Sequence, residues 1–100
     1  MKYILKKSNR KGKRFMIQMP ELNHTHHFGA LPFDKGTFID HKSEKIKKAW
    51  IARHKNDKNY NNKHSGIYYS RHLLWGDNTT LKENIKDLEK KDNIKIIVKL

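Results

Sequence analysis

The sequence predicts an α+β fold, with a small antiparallel sheet packed against two or three helices. The sheet is built from an N-terminal hairpin, a third short strand and a C-terminal strand. Three observations lead there. Apolar residues alternate within the first twenty positions and again at the end of the chain. Between about residues 44 and 55, and again from residue 81, they recur at helical spacing instead. Turn-forming residues separate these segments. With 100 residues and 35% apolar content the chain has room for one core, so a single small basic domain over 1–100 is expected.

Tyr3 and Leu5 alternate with Ile4 and Lys6, and Phe15, Ile17 and Met19 alternate with Met16 and Gln18. Period two marks half-buried strands. Between them, Ser8-Asn9-Arg10-Lys11-Gly12-Lys13 is turn chemistry, with Gly12 free to take positive φ. Pro20 ends the second strand because it cannot donate to a ladder. Residues 24–30 form a third short strand anchored inward by Phe28. Pro32 and Gly36 punctuate a loop before Thr37-Phe38-Ile39.

Asp40 and Ser43 read as helix-start signals ahead of Glu44. From about 44 to 55, Ile46, Ala49, Trp50 and Arg53 share one helix face, and Lys45, Lys48, Ala52 and Lys55 share another. Asn56 to Ser65 has no periodicity and is expected to be a mobile polar loop, with Tyr60 as its exposed ring. The dense aromatic stretch 67–75 reads as a buried helix stopped by Gly76, and Trp50 and Trp75 as core. Thr80 with Glu83 is a capping-box pattern. It opens a last helix with Leu81, Ile85 and Leu88 buried and an Asp87–Lys91 pair on its surface. Ile94, Ile96, Val98 and Leu100 alternate in a final strand whose outward lysines discourage edge pairing.

Charge is the main functional signal. The chain carries a formal net charge of +13. Residues 1–20 alone carry seven Lys or Arg and no acid, residues 21–63 a net +4, and residues 64–100 a net +2. Lys, Asn and Ile have A/T-rich codons, so base bias inflates lysine. It does not account for this uneven placement. A block of like charge repels itself and is tolerated best beside a polyanion. The expected phosphate contacts are Arg10, Lys11, Lys13 and Arg14 at the hairpin, with Lys45, Lys48, Arg53 and Lys55 on the basic helix. Arg53 and Arg71 also lie near apolar helix faces, where internal hydrogen bonds compete for them.

Other chemistries find less support. There are no cysteines, so disulfides, thiolate metal sites and cysteine nucleophiles are excluded. No apolar run is long enough for a membrane span, and the N-terminus lacks a signal-peptide stretch. His24 and His26 would share a strand face while His27 points away, and no His-Glu-x-x-His pattern or thiolate supports a metal. Gly66-Ile67-Tyr68 matches one half of the GIY-YIG nuclease signature, but the second half is missing. An HNH nuclease frame cannot be assembled from the remaining His and Asn residues. The expectation is a protein without enzymatic activity, metal or cofactor, with a metal-dependent nuclease as the least favoured alternative.

Several stretches together resemble a known group. They are Lys13-Arg14-Phe15-Met16-Ile17, His27-Phe28-Gly29-Ala30, Ile51-Ala52-Arg53-His54-Lys55, Tyr69-Ser70-Arg71-His72-Leu73-Leu74-Trp75 and Thr80-Leu81-Lys82-Glu83-Asn84-Ile85-Lys86-Asp87. The chain is similar in these to short, basic, uncharacterised proteins of nucleocytoplasmic large DNA viruses, of the mimivirus and phycodnavirus kind. The resemblance carries no activity and no functional residues. It implies a place in the virion or the interior of an infected cell, not secretion. Combined with the charge, the expected function is non-enzymatic binding of nucleic acid, DNA rather than RNA, through its phosphates, as in genome packaging or condensation. The alternative is a structural virion component whose basic face meets acidic virion proteins.

Overall fold

The computed structural model describes residues 1–30 and 36–100. The expected loop at Pro32 lies outside the described residues. Four strands form one sheet in the order β3-β2-β1-β4, with β1 Lys2–Lys7, β2 Lys13–Met19, β3 His24–Ala30 and β4 Lys95–Lys99. The α+β class and the membership of all four strands agree with the sequence. The expected antiparallel sheet needs one correction: β4 pairs parallel to β1, so the sheet is mixed. Of the apolar residues that alternate in β4, Ile96 is buried and Ile94 half-buried, but Val98 and Leu100 are exposed, and period two carries no information about strand direction.

The hairpin forms where expected. Gly12 sits at φ 83, and Lys13 N–H closes the turn on the Arg10 carbonyl at 3.2 Å. Pro20 opens a short 3-10 turn, Pro20–Leu22, that leads into β3. A helix not foreseen, α1 Phe38–His41, precedes α2 Glu44–His54. Ser43 does cap α2, accepting from Ile46 N–H at 3.3 Å. Asp40 does not; its carboxylate accepts from the Thr37 N–H and hydroxyl, both at 2.8 Å, and so holds the start of α1.

Two further expectations change. Residues 56–65 form a chain of turns, with hydrogen bonds from Asp57, Tyr60, Asn62 and Ser65 N–H to carbonyls three residues back. Tyr60 is half-buried, its hydroxyl accepting from Arg71 Nε at 2.9 Å. Arg71 also donates to the Trp75 carbonyl at 2.7 Å, so it is an internal residue. The dense aromatic stretch is helical, as α3 Gly66–Tyr69 running into a π-helical turn, Ser70–Leu74. The Trp75 N–H reaches back five residues to the Ser70 carbonyl at 2.9 Å. The wider turn brings both Leu73 and Leu74 to full burial.

Helix α4, Leu81–Asp92, starts at Thr80 as the capping pattern requires, with Thr80 Oγ1 accepting from Glu83 N–H at 3.2 Å. Ile85 and Leu88 are buried, as expected. Asp87 does not pair with Lys91; it accepts from Asn78 Nδ2 at 2.7 Å, and Lys91 lies beside Asp92 instead.

The main core cluster draws on one face of the sheet, and Met16 is buried on the other. Tyr3, Leu5, Phe15, Ile17, Met19, Phe28 and Ile96 meet Trp50, Tyr68, Tyr69, Leu73, Leu74, Trp75, Ile85 and Leu88 from the helices. Trp50 and Trp75 stack with centroids 5.0 Å apart. Asn84 is a polar member of this core, 1% exposed. Its Nδ2 donates to the Leu73 and Asn78 carbonyls and its Oδ1 accepts from Asn78 N–H. It ties α4 to the π-helical turn.

Two tests follow from this packing. Asn84→Ala strips three hydrogen bonds from buried or half-buried backbone, and should cost about 2–4 kcal/mol in a urea titration. His72 is half-buried against Tyr68, with ring centroids 4.4 Å apart. Burial, then the Arg71 and Lys91 cations, lower its pKa to about 4 against the pull of Asp92 and Asp77. The unfolded chain, with a histidine pKa of about 6.5, takes up a proton that the folded chain refuses. Stability from this group is therefore full above about pH 6.5 and falls, by on the order of 2 kcal/mol, as pH drops toward 4. His72→Gln should flatten that part of the urea-midpoint profile between pH 7 and 4.5.

Candidate nucleic-acid interface

Register decides which side chains share the face of the sheet opposite the core. Lys99, Lys6, Met16 and His27 form one row across β4, β1, β2 and β3, and Ile97, Ile4, Gln18 and Thr25 form the next. Lys95 stands opposite Lys2 in a third row. None of these residues belongs to the main core cluster, and of them only Met16 is buried. The four strands contain no Asp or Glu at all.

Two lysine pairs are thus directly opposed, Lys2 with Lys95 and Lys6 with Lys99. Like charges in facing positions destabilise a sheet. Two ammonium groups about 6 Å apart repel by roughly 0.7 kcal/mol in water. Ile4 and Ile97, both half-buried, lie between the two lysine pairs along their strands. Sequence reading counted the β4 lysines as edge protection only. Their alignment with Lys2 and Lys6 depends on the parallel pairing, which the sequence did not disclose.

The hairpin tip adjoins this face through His27. Ser8 Oγ shares a 2.7 Å hydrogen bond with His27 Nδ1, and Arg10 N–H donates to the same hydroxyl at 3.0 Å. Burial lowers the His27 pKa, and the Arg10 and Lys13 cations lower it further. Arg10, Lys11 and Lys13 are exposed, and none of them forms an ion pair among the described residues.

Arg14 is different. Its guanidinium clamps Asp40 with two donors, at 2.7 and 3.0 Å, and reaches Thr37 Oγ1 at 3.5 Å. Burial raises the Asp40 carboxyl, but hydrogen bonds from Arg14 and Thr37 outweigh it and bring the pKa down to about 2. Arg14 fastens α1 to the sheet, so among the expected phosphate contacts its guanidinium is the one engaged by an acid of the described residues.

Lys45, Lys48 and Lys55 are exposed on the side of α2 opposite the buried Trp50. Arg53 is exposed, with Ala49, rather than sharing the packed face with Ile46 and Trp50. These four cations form a second surface that no described contact joins to the hairpin. Lys47 was missed from sequence: it is 8% exposed, 4.6 Å above the Phe38 ring and 3.5 Å from Asp77. A groove of about 440 Å³ runs between the two halves, with Lys13 and His27 on one wall and Trp50, His54 and Trp75 on the other.

Residues 3–54 match the model of a family of unknown function (DUF5754). The chain belongs to that family. The DUF5754 match spans β1 to α2, so it includes the hairpin tip, the Arg14–Asp40 clamp and the basic side of α2, and excludes β4 with its two lysines. No curated protein and no solved structure matches the chain.

The two roles assigned to neighbouring cations separate by substitution. Arg14→Ala should lower stability by about 1 kcal/mol in urea, because it releases Asp40 and the start of α1. Lys11→Ala at the exposed tip should leave the urea midpoint unchanged.

Proposed function

We propose that this protein binds nucleic acid through the phosphate backbone, using the face of its sheet opposite the main core together with the hairpin tip. The observation that carries the reading is the acid-free sheet, with two opposed lysine pairs on the face turned away from the main core cluster. Self-repulsion of that kind is relieved when phosphates replace mobile counterions. Lys2, Lys6, Lys95, Lys99, Arg10, Lys11 and Lys13 make up the contact surface. Ile4 and Ile97, both half-buried, lie between the lysines of this surface. Duplex DNA is the polyanion we expect, in a packaging or condensing role, and recognition is of charge spacing rather than of base edges.

The test is binding to random-sequence duplex DNA over a salt series. If five or six phosphates are neutralised, log K should fall against log salt with a slope of about −5. Replacing Lys2, Lys6, Lys95 and Lys99 together by Gln should cut that slope by more than half with the thermal melt preserved. The same change at Lys45, Lys48, Arg53 and Lys55 should alter it much less. A slope near zero, or equal losses from the two sets of four, contradicts the reading. Preferential capture of one acidic protein over DNA favours a protein-binding role instead.

A further inference from the structure

The other face of the sheet carries a cluster that the nucleic-acid reading does not use. His24 and His26 alternate on β3 opposite Met19 and Ile17, on the helix side of the sheet. His27, between Phe28 and His26 in the chain, points to the opposite face instead. The chain of turns before α3 brings His64 over the same spot. Ring centroids lie 5.2 Å apart for His24 and His64, 6.0 Å for His24 and His26, and 6.3 Å for His26 and His64. One ring nitrogen from each of the three lies within 4.8 Å of the others.

Several contacts hold this arrangement. Gly66 presses on β3 so closely that a Cβ there would collide with the His27 carbonyl oxygen, which fixes the approach of the loop. Tyr69 donates to the Lys63 carbonyl at 2.8 Å, and its ring stacks with His26. The His64 N–H donates to Asn62 Oδ1 at 2.9 Å, and Ser65 Oγ donates to the Asn59 and Asn62 carbonyls. The Lys63 ammonium turns away toward Asp92, 3.5 Å off, so it does not compete for the site.

Three imidazoles facing one another with no acid among them repel once protonated. Burial lowers the His26 pKa, and His24, His64 and His27 add to that. The His26 Nε2 is also buried and has no hydrogen-bond partner, an uncommon and costly state for a ring nitrogen.

We propose that His24, His26 and His64 form a binding site for a divalent transition-metal ion of the zinc class. Imidazole suits such ions, and three ligands leave a fourth position for water or an anion. Zinc–nitrogen bonds of about 2.0–2.1 Å in a tetrahedron set the nitrogens about 3.3 Å apart. The exposed His24 and His64 side chains close the difference by rotating. Neither the proposal nor its test depends on nucleic-acid binding, which uses the opposite face.

Isothermal titration of the untagged, chelator-treated full chain with ZnCl₂ tests it, alongside Co²⁺ titration followed by visible absorption. The expected result is one equivalent of Zn²⁺ bound in the micromolar range or tighter, and visible Co²⁺ bands of a four-coordinate nitrogen site. His24→Ala and His64→Ala, both at exposed positions that leave the core intact, should each weaken binding at least about tenfold. His27→Ala and His54→Ala should leave it unchanged, and Mg²⁺ should not compete. A dissociation constant weaker than about 100 µM overturns the proposal, as does a loss below tenfold in either exposed variant.

Discussion

The helical layer and the sheet meet at a point where two stretches of main chain nearly touch. Gly66 begins α3 against the His27 carbonyl, and no side chain fits between them. From that contact the segment 66–74 runs across the sheet, sinking Tyr69, Leu73 and Leu74 to complete burial against Leu5, Ile17 and Phe28. The preceding turns are delivered to β3 by the same approach. Interiors are close-packed, so a methyl group at Gly66 shifts the whole layer rather than one neighbour. The histidine trio and the main core share this one distance.

The molecule sorts its charge by layer. The strands hold only cations and histidines, and the acids of the described residues sit on helices and turns. Yet the surplus of cations is smaller at the surface than the net charge suggests. Arg14 is clamped by Asp40, Lys47 lies under α2 on Phe38, and Arg71 serves Tyr60 and the Trp75 carbonyl. Each is a long side chain whose head satisfies something internal while its stem fills space. Composition counts all of them alike.

Much of the fold was legible because periodicity reports burial directly. Phe15, Ile17 and Met19 are buried at alternate positions, and Ser43 and Thr80 cap the helices they precede. What escaped has a common physical cause: it depends on partners distant in the chain. The direction of β4 was invisible because alternation is the same in both directions, and with it went the lysine pairs at 2/95 and 6/99. Arg14 looked like its neighbours Lys11 and Lys13 until Asp40 came alongside. Only tertiary structure brings His64, 38 positions beyond His26, to the strand. The polar run 56–65 lacks periodicity because its order comes from local turns and one tyrosine hydroxyl rather than an apolar stripe.

The parallel pairing of β1 with β4 has a consequence for how the chain is made. The strand at residues 2–7 is interior to the sheet, and one of its two neighbours is supplied by residues 95–99. Until that stretch has left the ribosome, β1 presents a row of open amide and carbonyl groups flanked by Ile4 and Leu5. Closing so large a loop is slow relative to forming the hairpin. The nascent chain therefore carries an unfinished sheet edge throughout the synthesis of the residues between β1 and β4, and lysines along such an edge disfavour its pairing with another growing chain.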